Sequence, residues 1–189
     1  MANSSTTGFG LRPIKKVGQN DNNGALSEWS IASGSALISH NDMCQVTADG
    51  VVLVSGNAII YNLGSLNGSF YTDPTSNKPT WSNYWPASVA ASDAVAFITD
   101  DPYQMYEIMS ADTAFNQNEV GGCADGVAAV GTTPLFISKT KISATTSSTQ
   151  AQFKILGVSR DPDHSDITEE GFALRVKINE HFMTALGGL

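Results

Sequence analysis

The densest concentration of reactive side chains in this 189-residue chain is SRDPDHSD, residues 159 to 166, with Asp161, Asp163, His164 and Asp166 inside six positions. Carboxylates and an imidazole at that spacing are what a calcium loop, a zinc site or an acid–base pair would use. The details point elsewhere. A calcium loop starting at Asp161 needs Gly at its sixth position and an acid at its twelfth, and Asp166 and Phe172 stand there. A zinc site needs further His or Cys nearby, yet His40, His164 and His181 are scattered and no Cys accompanies them. Asp-Pro-Asp between two strand-like runs reads instead as a turn, because Pro fixes φ and Asp side chains bond nearby amides. We therefore expect no metal and no cofactor.

Asp100 and Asp101, with Glu107 close behind, form the other acidic group, and two of the three could act as the acid and nucleophile of a glycoside hydrolase. Neighbours on a strand point to opposite faces, so the adjacent pair would have to sit in a turn to converge. Asn179 and His181, two apart, could share a face, and a hydrogen-bonded structural pair at a strand end accounts for them. No G-x-S-x-G, H-E-x-x-H or P-loop occurs, and GFGLRP neither follows a strand pattern nor opens a helical one. The expectation is that the chain is not an enzyme.

The elements that must position these residues are strands. GFALRVKINEH (171 to 181) alternates Phe172, Leu174, Val176 and Ile178 against Ala173, Arg175, Lys177 and Asn179, which predicts a half-buried strand. QAQFKILGV (150 to 158) repeats the pattern, and CQVTADGVVLVSG predicts a hairpin turning at Asp49-Gly50. AVAFIT (94 to 99) is an apolar run suited to a strand buried on both faces, YQMYEIM reads as extended, and Tyr61 to Tyr71 as a strand and loop. A short helix is expected only around Ala111 to Glu119. The fold class is mainly β, a β-barrel or β-sandwich domain over residues 26 to 189.

Residues 1 to 25 differ in composition, being rich in Gly and Asn, and are expected to form an extended N-terminal arm. Arg12, Pro13, Lys15 and Lys16 make that arm basic, which suits docking on an acidic partner. The alternative is that Phe9, Leu11, Ile14 and Val17 pack on the domain as an extra strand. Trp81, Tyr84 and Trp85 fall in a Pro-rich segment and are too costly to leave wet in a lone loop, so they either lid the core or face a partner.

Composition excludes some partners. With 10 Lys and Arg against 18 Asp and Glu, a formal charge of -8 would repel phosphate backbones, so nucleic acid is not expected. No apolar run is long enough to cross a membrane as a helix, and the first residues lack the basic and apolar regions of a signal peptide, so synthesis in a cytoplasm is expected. Cys44 and Cys123 are far apart in sequence and are read as free buried thiols.

Four segments in this order, GFGLRPIKK, AVAFITDDPYQMYEIM, QAQFKILGVSRDPDHSD and ALRVKINEH, resemble the head decoration or cement proteins of tailed bacteriophages. The likeness runs from Gly8 to His181, with departures at His40, Asn41 and Asp42 and at Asp163 and His164. It implies a structural virion protein on the capsid exterior, bound to the major capsid protein and in contact with neighbouring copies of itself. It also implies that SRDPDHSD is the recurrent loop between two strands. A carbohydrate-binding β module, with Trp81, Tyr84 and Trp85 as its stacking platform, is the alternative.

Overall fold

The computed structural model describes residues 3–18, 26–53, 61–129, 131–143 and 151–184. The chain is mainly β, with curled antiparallel sheets that form a half-barrel. One sheet has five strands in the order β1 (Arg12–Lys16), β8 (Gln104–Met109), β13 (Ala173–Ile178), β12 (Phe153–Val158) and β9 (Cys123–Ala124). The other has six: β2 (Ser27–Ser30), β7 (Val95–Thr99), β5 (Asn62–Thr72), β3 (Met43–Thr47) and β4 (Gly50–Leu53) in that order, with β6 (Pro79–Ser82) also paired to β5. A two-residue pair, β10 (Gly126–Val127) and β11 (Lys141–Ile142), completes the described strands.

The period-two reading of the last strand is what the structure contains. Leu174, Val176 and Ile178 are buried with Phe153, Ile155, Tyr106 and Ile108 in one apolar cluster, while Arg175 and Lys177 are half-buried on the other side. The β3–β4 hairpin closes where Asp-Gly was expected to turn, with Thr47 opposite Gly50 and Gly50 at φ 127°. A second apolar cluster, containing Ile38, Leu63, Leu66, Trp85 and Ile98, lines the six-stranded sheet. The Tyr106 hydroxyl donates to the Thr99 carbonyl (2.7 Å) and so joins β8 to the end of β7.

Three expectations need correction. The AVAFIT strand is not buried on both faces: Ala96 and Ile98 are buried, but Val95 and Phe97 are half-exposed. It is β8 that is buried along its whole length, flanked by β1 and β13. The helix near Ala111 to Glu119 reduces to one 3-10 turn at Gln117–Glu119, followed after Val120 by Gly121 and Gly122, while Phe115 is held in the core by its amide bond to Ile167 O.

The third correction concerns the arm. Residues 12–16 form the edge strand β1, antiparallel to β8, with Arg12 opposite Glu107 and Lys16 opposite Gln104. Leu11 is fully buried, and Gly10 sits so close to Asn41 and Ser138 that a Cβ would lie 2.4 Å from each. Further back, the Asn3 amide donates to the carbonyls of Asp166 and Glu170. Pro13 is tolerated because an edge strand leaves one side of its backbone unpaired. The polar run at 19–24 lies outside the described residues.

Candidate partner-facing surface

SRDPDHSD links β12 to β13, and its side chains serve the loop itself. Asp161 Oδ1 accepts the Asp163 amide (3.2 Å), Asp166 Oδ1 accepts the Thr168 amide and hydroxyl, and His164 Nδ1 lies 2.9 Å from the Gly171 carbonyl. The Asp163 amide, with the largest effect, and the Arg12 guanidinium hold the Asp161 carboxyl below its usual range against the opposing effect of burial. Phe9 packs on His164 with ring centroids 5.6 Å apart. SRDPDHSD is thus a turn that also seats the start of the chain.

The three candidate catalytic carboxylates are separately engaged. Asp100 is buried and accepts the Ser27 hydroxyl (2.8 Å) and the Trp29 indole N–H (2.9 Å). Asp101 pairs with Lys16 (2.6 Å) and accepts the Tyr103 amide. Burial raises the Asp101 carboxyl, but those two hydrogen bonds and the Lys16 charge outweigh it and bring the group below its ordinary value. Glu107, buried, accepts from Ser159 Oγ and from the Arg12 guanidinium, which also reaches Asp161 at 3.2 Å. Of the residues expected to dock on a partner, Arg12 and Lys16 are therefore spent on internal acids, Pro13 faces Tyr106, and Lys15 faces Met105.

The aromatic cluster divides. Trp85 is 2% exposed, packed edge-on against Tyr71 in the core, and its place is fixed by paired backbone bonds to Ile38. Tyr84 is half-buried and stacks on Phe136 at 4.0 Å. Trp81, 56% exposed, is the outward-facing member. It lies over Gly68, where a Cβ would come within 2.7 Å of its ring, and tilts against Phe97 at 4.9 Å. The register puts Phe70 opposite both Trp81 and Val95, and Phe97 opposite Gly68, so all four apolar side chains share the outer face of the six-stranded sheet.

Sequence reasoning identified Trp81 but missed Phe70, Val95 and Phe97. The signal was present: Val95 and Phe97 alternate with the buried Ala96 and Ile98, a period the continuous apolar run concealed. The result is an exposed aromatic strip on a hydrogen-bonded sheet, with Leu135 exposed on a neighbouring loop that Asn83 tethers through the Leu135 carbonyl (3.4 Å). Such a surface loses little side-chain entropy on binding and can bury much apolar area.

The remaining groups are dispersed. His40 Nδ1 lies 2.9 Å from the Asn67 carbonyl, His181 is buried and its Nδ1 accepts the Met183 amide, and Asn179 donates to the Ala151 carbonyl. Cys44 is buried, Cys123 half-buried, and both are free thiols. Among the described residues no three His, Cys, Asp or Glu side chains converge as a metal ion would require, and no helix is long and apolar enough to cross a membrane. No family model, curated protein or solved structure matches the chain.

Proposed function

We propose that the chain is a structural virion protein that docks on the exterior of a phage capsid and cements it, using the outer face of its six-stranded sheet. The observation that carries this reading is the Trp81–Phe97–Phe70–Val95 strip, large apolar side chains held in register on β5, β6 and β7, of which Trp81 and Phe70 are exposed. The order of the sequence segments supports a capsid as the partner. A protein that binds the assembled shell and not its precursor stabilises it by mass action, about 2.7 kcal/mol per site at a hundredfold excess over Kd. That role asks for a stiff scaffold and a docking face, which two antiparallel sheets provide.

Co-sedimentation with purified capsids tests the reading. Wild-type chain should pellet with capsids, and Trp81→Ala should weaken binding by about 2 kcal/mol, roughly 30-fold, as for a central aromatic anchor. Failure of the wild type to bind would end it. A carbohydrate-binding module is the second reading, favoured by one feature: the Trp81 ring lying over Gly68 and open to solvent, as sugar stacking requires. Glycan-array binding without capsid binding would select it.

A further inference from the structure

Five of the ten basic residues, dispersed in sequence at 12, 15, 154, 175 and 177, meet on the outer face of the five-stranded sheet. The pairing register arranges them in two rows. Arg12, Glu107, Arg175 and Gly157 stand side by side across β1, β8, β13 and β12. Next to them run Lys15, Met105, Lys177 and Lys154 on the same four strands. Glu107 and Asp161 engage Arg12, but Lys15, Lys154, Arg175 and Lys177 form no ion pair among the described residues.

Two details show that this face lacks a counterpart. Lys154 sits directly opposite Lys177, an arrangement in which like charges destabilise a sheet unless an anion lies between or above them. Arg175 has its Nε buried without an acceptor among the described residues, and Gly157 opposite it leaves open space where another residue would project a side chain. A half-buried guanidinium beside an open notch fits a carboxylate supplied from outside.

The same chain carries that chemistry elsewhere. Between Leu26 and Asp101, the stretch that builds the six-stranded sheet, Lys78 is the only base against seven Asp and Glu. Of these acids Glu28, Asp49 and Asp93 are exposed, and none of the three pairs with a base among the described residues.

We infer that the outer face of the five-stranded sheet is a self-association surface that receives the acidic, six-stranded half of a second copy, head to tail. The two patches differ, so the contact is heterologous and repeats from copy to copy, closing into a ring or extending as a chain. Nucleic acid is the weaker occupant, because four uncompensated cations would have to hold a polyanion against a chain of charge -8. The inference does not depend on capsid binding.

Sedimentation velocity on the full chain tests it. At low salt the weight-average mass should exceed the monomer and rise with concentration, and it should fall to the monomer near 1 M salt, where the Debye length is about 3 Å. Lys154→Glu/Lys177→Glu and, separately, Glu28→Lys/Asp49→Lys should each be monomeric at low salt while keeping the wild-type melting midpoint. Mixing the two variants should restore association, since each reversed patch then meets its complement. If the lysine pair will not fold when reversed, Lys177→Gln serves in its place and should weaken association. A wild type that stays monomeric, association indifferent to these changes, or a mixture that fails to reassociate would each overturn the inference. So would duplex DNA binding that the lysine variant abolishes, which would assign the face to nucleic acid.

Discussion

Arg12→Met removes the guanidinium from Glu107 and Asp161 while keeping most of the aliphatic stem. What remains is a buried carboxylate, its side chain 7% exposed, with only the Ser159 hydroxyl among the described residues donating to it. Breaking a fully buried pair costs about 3 to 5 kcal/mol and an exposed one about 0 to 1. Here the acid is buried but the Arg12 side chain is 41% exposed, so water partly replaces it, and the loss should be about 2 kcal/mol. For a chain of this length that is a fall of roughly 4 to 8 °C in the melting midpoint, measured by calorimetry or circular dichroism. Arg12→Met/Glu107→Gln should recover at least half of it, because the cost lies in the stranded charge. An unchanged midpoint in Arg12→Met, together with fast amide exchange through Arg12–Lys16, would refute the docked edge strand and restore a detached arm.

Val176 is fully buried between Ile155 and Tyr106, so Val176→Asp should unfold the domain in a midpoint assay: an unpaired interior carboxylate costs several kcal/mol against a total of about 5 to 15. Lys177→Asp should do little, and equal damage would mean that both faces of β13 are core. Trp85→Ala should cost about 3 to 5 kcal/mol in denaturant titration and Trp81→Ala, which loses its ring contact with Phe97, about 1, an order whose reversal would contradict their placement. Burial lowers the His181 imidazole, with the charges of Asp100 and Asp101 among the opposing influences. The unfolded chain then takes up this proton at higher pH than the folded one. The resulting stability is complete above about pH 6.5 and is lost as the pH falls through the lowered folded value. His181→Gln should flatten that slope, and parallel pH profiles for wild type and variant would show that His181 does not carry it.

Legibility followed periodicity. Residues 173–178 could be read because one face of β13 meets core and the other does not, and the hairpin at Asp49-Gly50 because its turn chemistry is local. β1 was harder: RPIKK has no apolar alternation, and what holds it is Glu107, 95 positions away, and the backbone of β8. Trp81 and Trp85 could not be told apart in a segment rich in Pro and Ser, since only pairing with β5 turns one outward and pairing with Ile38 buries the other. The basic face was invisible for the same reason. Its residues come from three strands whose side-by-side order, β1, β13 and β12 with β8 between, is a property of the sheet and not of any window of sequence.

The central claim is that the outer face of β5, β6 and β7 is buried on a shell. Oxidative footprinting of Trp81, read by mass spectrometry with the protein free and bound to capsids, measures this directly. The account predicts rapid labelling of Trp81 in the free protein, strong protection on capsids, and no change at Trp85, which is already buried. Capsid-bound protein in which Trp81 is labelled as fast as in solution would contradict it.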